Sequence, residues 1–280
     1  MQSWNFDEQS KLLEIAIQIL EDYDIQYWSF GGGTVLSALY YQHRMSYDID
    51  IFLEDYSEIE RLVSFQEEIA KNIGITKQQV EASPSAITFI LEAQGFGLKL
   101  DFVYSPMLTI NSHILTSTMG QKNIRVQTVK EIIAKKLKHR EKATIRDFVD
   151  YAISEERDNI LTELKSENIV EMDRYFDMID KFNSFDEATF DAEMEGLMPN
   201  RGLTKKDFHN TINAIMEPHE SILIGLDDTG EVVALDEFVE VYRSLYEEIR
   251  IYEVYTIPNK GFSYCEVLTM TRDEIRDLSS

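Results

Sequence analysis

Two aspartates at alternate positions, Asp48 and Asp50, lie in the segment Ser46-Tyr47-Asp48-Ile49-Asp50-Ile51-Phe52. Alternate residues on a strand project to one face, so a strand here makes the two carboxylates converge. Magnesium takes oxygen ligands, commonly one or two carboxylates together with substrate phosphates. A short helix earlier stands Phe30-Gly31-Gly32-Gly33-Thr34, a glycine-rich turn that opens a helix. Backbone amides at a helix N-terminus bind phosphate. Each feature alone is commonplace: Asp-x-Asp occurs on polar strand faces, and glycine turns join many strands to helices. In succession they point to a divalent metal and a nucleotide.

Further residues extend this chemistry. Asp101 lies in Leu98-Lys99-Leu100-Asp101-Phe102-Val103, where Leu98, Leu100 and Phe102 share one strand face and Asp101 shares the other with Lys99 and Val103. A carboxylate there completes a metal cluster and takes the proton from an attacking hydroxyl; the bland alternative is an exposed residue paired with Lys99. Lys136 interrupts the apolar helix face of Val129, Ile132, Ile133 and Leu137. Its stem buries while its ammonium reaches the rim, which suits a phosphate contact or plain snorkelling. Arg146 and Asp147 open a following helix with Asp150 one turn on, a pattern that equally serves the helix dipole. The five histidines show neither metal-ligand spacing nor a nucleophile-base arrangement. His43-Arg44, just before the aspartate strand, is placed to touch phosphate or nucleobase.

These residues need elements to hold them. The spacing predicts a helix over about 7–23, a short strand Ile25 to Phe30, the glycine turn, a helix through Tyr40, and a strand Tyr47 to Leu53. Ser57 to Ile73 has helical spacing. Alternation over Ile87–Leu91 and Phe96–Phe102, separated by Ala93-Gln94-Gly95, predicts a β-hairpin. A strand near Ile124 to Gln127 precedes a helix from Thr128 to about His139, with Thr128 and Glu131 spaced as a capping box. Another helix starts near Thr144. After Ala152 the chain becomes acidic, with helical spacing at Asn159–Leu164, Met172–Phe182, Thr204–Met216 and Asp236–Ile249. Asp227-Asp228-Thr229-Gly230 marks a turn between short apolar runs; its neighbours lack the ligand spacing of a calcium-binding EF-hand loop.

Bulk properties bound the reading. The chain has 280 residues, 44% hydrophobic and 28% charged, with one cysteine, Cys265. This excludes intramolecular disulfides and a zinc site of several thiolates. No apolar run approaches a membrane span, and the N-terminus has no signal-peptide pattern, so a cytoplasmic location without membrane contact is expected. The net charge of −24 is uneven: about −6 over residues 1–150 and about −18 beyond them. Indiscriminate nucleic-acid binding is thus disfavoured. Lys122 to Asp150 is locally basic, with nine Lys or Arg against four acids.

The ordered segments Phe30–Ser37, His43–Phe52, Lys99–Phe102, Glu131–Leu137, His139-Arg140 and Arg146–Asp150 together resemble the motifs of the AbiEii/AbiGii toxin family of nucleotidyltransferases. The likeness runs over roughly residues 25–155. It implies an α+β fold: a polymerase-β-like nucleotidyltransferase core, with a small mixed sheet flanked by helices, over residues 1–155, and a mostly helical, acidic C-terminal region over 156–280. It implies a nucleoside triphosphate substrate with magnesium or manganese. Gly32, Gly33 and Thr34 would hold the triphosphate, with Arg44 beside them. Asp48, Asp50 and Asp101 would bind metal, Lys136 would touch phosphate, and Asp147 would complete the catalytic set. Lys135 is an alternative to Lys136, because the doubled lysine leaves the register open. The resemblance further implies the toxin of a bacterial toxin–antitoxin or phage-defence system with a cognate antitoxin. RNA, notably transfer RNA, is the expected acceptor, docked along Lys130, Lys135, Lys138, Arg140 and Lys142. Transfer to protein by the same site, or a catalytically silent nucleotide-binding module, are the alternatives.

Overall fold

The computed structural model describes residues 4–93, 96–140, 142–197, 203–214, 221–235, 253–258 and 270–278. Contacts divide the chain into two compact units, Met1–Ile215 and Met216–Ser280. Elements are numbered below in chain order among the described residues.

The first unit is built on a mixed seven-stranded sheet. Its strands are β1 (Trp28–Gly31), β2 (Ile49–Leu53), β3 (Val80–Ser83), β4 (Ala86–Ala93), β5 (Phe96–Tyr104), β6 (His113–Thr118) and β7 (Gln121–Gln127). They lie in the order β3-β4-β5-β2-β1-β7-β6. β2 runs parallel to β5 and β1 parallel to β7, while the remaining neighbours are antiparallel. Alternation decides which face is core: Ile49, Ile51 and Leu53 are buried, as are Leu98, Leu100 and Phe102. The intervening residues Asp50, Phe52, Asp101 and Val103 turn to the opposite, partly open face. The predicted hairpin forms as β4 and β5, in register from Ala86↔Val103 to Ala93↔Phe96.

Helices cover the sheet. α1 (Asp7–Asp22) buries Leu12, Leu13, Ala16, Ile19 and Leu20. After β1 the chain enters α2 (Gly32–Val35), which continues as a π-helical turn over Leu36–Tyr41 and ends at Gln42 in left-handed conformation. The single helix read over Ser57 to Ile73 is two, α3 (Tyr56–Ser64) and α4 (Gln66–Asn72), broken at Phe65, whose ring packs on Tyr23. α5 (Val129–His139) follows β7, and the Thr128 hydroxyl caps Glu131 N–H at 3.3 Å. The reciprocal half of that capping box is missing. The Glu131 carboxylate instead accepts from Leu108 N and Thr109 N, at 3.0 and 2.8 Å, and so ties the 105–112 loop to α5.

α6 (Ile145–Asp158), α7 (Ile160–Ser166), α8 (Met172–Ser184), α9 (Glu187–Leu197) and α10 (Lys205–Ala214) follow. Their apolar faces meet in an aromatic cluster. Phe148 of α6 packs on Phe182 of α8 at 5.3 Å between ring centroids, Phe182 on Phe190 of α9 at 5.6 Å, and Phe190 on Phe208 of α10 at 6.3 Å. Such ring pairs favour tilted and edge-on contacts. The boundary expected after residue 155 therefore falls inside a continuous core, and the contact division comes at 215/216 instead.

The second unit contains an antiparallel sheet of β8 (Ser221–Leu226), β9 (Val232–Leu235) and β10 (Glu253–Pro258), in the order β10-β8-β9, and α11 (Arg272–Leu278). Asp227–Gly230 forms the turn between β8 and β9, with Asp227 accepting from Thr229 N at 2.8 Å. Ile224, Leu226 and Ile275 form its buried core. The helix read over Asp236–Ile249 lies outside the described residues. Among the described residues no helix is long and apolar enough to cross a membrane.

Candidate active site

Strand register assembles the site. Gly31 of β1 pairs with Asp50 of β2, Asp50 with Asp101 of β5, and Asp101 with Thr88 of β4. On the other side Phe30 pairs with Val126, which sets Gln127 beside Gly31. Laterally paired residues share a face, so one row of polar and glycine positions crosses the sheet. A Cβ on Gly31 would meet Gln127 and the Phe52 ring. Gly32 has φ +73°, and a Cβ there would overlap the Asp50 carboxylate. A side chain at Gly32 is thus excluded both by backbone conformation and by the acid it faces. A Cβ on Gly33 would lie 2.6 Å from Arg44 Nη2 and 3.1 Å from Ser46 Oγ. The Thr34 hydroxyl donates to the Asp48 carbonyl, joining the glycine turn to the entry of β2.

The acids of the row repel one another. Burial, then the charges of Asp101 and Asp48, push the Asp50 carboxyl up to about 7, against the pull of Lys136 and Arg140. Burial also raises Asp101; the Thr88 hydroxyl, which donates to its Oδ1, opposes that rise. Among the described residues no three acidic, histidine or cysteine side chains gather closely enough to hold an ion by themselves. The oxygens of Asp50 and Asp101, both pushed up by burial first and by neighbouring acid charge second, nevertheless fit a hard divalent cation, with substrate phosphates completing its shell.

Next to the glycine turn lies a buried ionic cluster. Asp150 of α6 is fully buried and receives Arg44 in bidentate fashion, Nε to Oδ1 and Nη2 to Oδ2, both at 2.8 Å. His43 Nε2 stands 2.7 Å from Asp150 Oδ1. Lys136 Nζ bridges Asp147 Oδ1 at 2.7 Å and Asp150 Oδ2 at 3.1 Å. The other oxygen of Asp147 accepts from Thr144 N and Oγ1, each at 2.9 Å, and so caps α6. Burial alone would raise both carboxyls. The cations outweigh it: Arg44 and Lys136 hold Asp150 well below the carboxylate range, and Lys136 and Arg140 lower Asp147.

The doubled lysine resolves geometrically. Lys136 faces this cluster, while Lys135 is buried on another side, with Nζ 3.3 Å from Glu131, 3.2 Å from the Ser105 carbonyl and 4.4 Å from the Phe52 ring centre. Lys136 is not a rim lysine; its ammonium sits between two buried acids. The basic strip is also largely spent. Lys130 pairs with Glu163 and Glu167 at 2.8 and 2.7 Å, and Lys138 lies 3.5 Å from Glu171.

The hub, Asp150 with His43 and Arg44, had a detectable signal. A carboxylate among the core positions Phe148, Val149, Tyr151 and Ala152 of one helix must find partners, and His43-Arg44 stood next to the aspartate strand.

The chain is a nucleotidyltransferase by family. The chain belongs to the AbiEii family, described as "Nucleotidyl transferase AbiEii toxin, Type IV TA system", whose model matches residues 18–240. Similar solved structures include an H. pylori protein described as a nucleotidyltransferase, at 14% identity over 76% of this chain and 99% of that one, with a TM-score of 0.43. They also include JHP933 from Helicobacter pylori (15%, 74% and 90%, 0.41) and ANT(2")-Ia in complex with adenylyl-2"-tobramycin (17%, 46% and 74%, 0.31). These are distant likenesses. No curated protein matches the chain.

Proposed function

We propose that the protein moves a nucleoside monophosphate from a nucleoside triphosphate to an RNA acceptor, transfer RNA foremost, and releases pyrophosphate. The carrying observation is the register that sets Gly31, Asp50 and Asp101 side by side on one sheet face, with Gly32 against Asp50. The amides of Gly32, Gly33 and Thr34 receive phosphate oxygens at the opening of α2. Arg44, fixed by Asp150 over Gly33, orients them. Asp48 and Asp50, with Asp101 beside them, would hold magnesium or manganese, which supplies charge neutralisation at the α-phosphate and activation of the attacking hydroxyl. Asp101, oriented by Thr88, accepts the acceptor hydroxyl proton. Lys136 and Asp147 complete the phosphate side. The toxin–antitoxin setting of the family calls for a cognate antitoxin.

One observation favours a second reading, transfer to protein. Lys130 and Lys138 of the basic strip are already paired with acids and Lys135 is buried, which weakens the RNA track in a chain of net charge −24. The test is incubation of the purified protein with each α-labelled triphosphate and magnesium against total RNA and total protein. Label in RNA, lost in Asp48→Ala and Asp50→Ala, is expected. Label confined to protein selects the second reading. Triphosphate binding with no pyrophosphate release from either mixture would mean a silent binding module.

A further inference from the structure

The cations around the glycine turn are not equivalent. The Arg44 guanidinium's charge is already matched by Asp150, and three of its five N–H groups are used, two by Asp150 and one by the Met45 carbonyl, to which Nη1 donates at 3.0 Å. The Lys136 ammonium is held between Asp147 and Asp150. Both are buried. Two cations against two carboxylates leave that cluster close to neutral, although it borders three further acids. On the nucleotidyl-transfer reading, a triphosphate here would have backbone amides and a metal held by the strand acids, but little uncompensated positive charge from Arg44 and Lys136.

Arg140 differs. It is the C-cap of α5, one helical turn beyond Lys136, and its side chain is 54% exposed. Its Nε stands 3.7 Å from Asp147 Oδ1, too far for a hydrogen bond, because that oxygen is taken by Lys136 at 2.7 Å. Among the described residues its guanidinium donates no hydrogen bond. Its charge nevertheless reaches Asp147 and Asp50, which places it within range of the metal-side and the lysine-side acids alike.

We propose that Arg140 is the substrate-facing cation of the site: it receives the outer phosphates of the triphosphate and neutralises the pyrophosphate as it leaves. In the step, the acceptor oxygen bonds to the α-phosphorus, the bond from that phosphorus to the α–β bridging oxygen breaks, and the electron pair departs on pyrophosphate. Arg140 meets that charge with donors its neighbours have not used. This inference rests on the nucleotidyl-transfer reading.

The experiment is binding of a non-hydrolysable α,β-methylene triphosphate and of the matching monophosphate, with magnesium, to wild type, Arg140→Ala and Arg140→Lys. Pyrophosphate inhibition is measured on the same proteins. Because the Arg140 side chain is half exposed and, among the described residues, donates no hydrogen bond, its variants are expected to fold, which a melting curve checks. Arg140→Ala should weaken triphosphate and pyrophosphate binding about 10- to 100-fold and leave the monophosphate unchanged. Arg140→Lys should recover part of the loss. Equal loss for triphosphate and monophosphate, or no loss at all in a protein whose wild type binds triphosphate, overturns the role of Arg140 and leaves nucleotidyl transfer standing. A wild type that binds no triphosphate overturns both.

Discussion

At the scale of single residues, Asp50 carries the cost of the candidate site. Its carboxyl is pushed from 3.8 up to about 7 by burial and by Asp101 and Asp48. A raised acid binds more protons in the folded than in the unfolded state between those values. Asp50 therefore favours folding at acid pH, and that contribution is lost as pH rises through about 7. With allowance for its partial exposure the effect is on the order of 1–2 kcal/mol. A divalent ion that binds charged Asp50 reverses the penalty. Without divalent ions the melting temperature should fall between about pH 5 and about pH 8, and magnesium should restore more of it at the higher pH. Asp50→Asn should flatten both responses. Thermal melts across pH, with and without magnesium, check this; a magnesium effect that is the same at both pH values would refute it.

At the scale of elements, the site is a joint between the glycine turn, β2 and the helices α5 and α6. Asp150 joins them, since His43 and Arg44 precede β2, Lys136 belongs to α5 and Asp150 to α6. Removing one partner of a buried ion pair leaves uncompensated charge, at a cost of about 3–5 kcal/mol. Asp150→Ala should thus destabilise the protein by about that much, read by urea denaturation near neutral pH. Asp150→Asn, which keeps the shape and one acceptor oxygen, should cost less. Equal stability of Asp150→Ala and wild type would show the cluster to be energetically idle. Because the Asp150 carboxyl is depressed, its contribution is present above the ordinary aspartate range and fades as pH falls below about 4.

The same elements show what a sequence reveals. Glycines before a helix and the alternation of Ile87–Leu91 with Phe96–Phe102 are local patterns that form as elements, whereas β2 begins only at Ile49, so Asp48 stands just before the strand and not on its face with Asp50. The pairing of Arg44 with Asp150 joins residues 106 positions apart and has no period to betray it. The residue pattern of β3 and β6 does not mark them as strands. They are short edge strands with mostly exposed or half-buried residues, so they lack the apolar alternation that marks an interior strand. The π-helical turn at Leu36–Tyr41 is equally silent, because its apolar residues fit ordinary helical spacing.

At the scale of the whole molecule, every residue assigned to the site lies between Gly31 and Asp150, within the first compact unit. Residues 1–215 also contain the complete aromatic cluster that binds α6 to α8, α9 and α10. A chain ending at residue 215 should therefore fold and bind triphosphate within about threefold of full length, as calorimetry would measure. Loss of all binding in a truncated chain that still melts cooperatively would assign the second unit a part in the site. The glycine cradle has a genetic corollary. Where expression arrests growth, survivors carrying missense changes record which positions the toxin cannot alter. Most surface codons accept replacement silently, but at Gly32 any side chain overlaps Asp50, whatever its chemistry. Nearly every substitution at that codon should confer survival while full-length protein still accumulates, and the codons of Gly31 and Gly33, where a Cβ also meets packed side chains, should extend it into one short run of escape mutations.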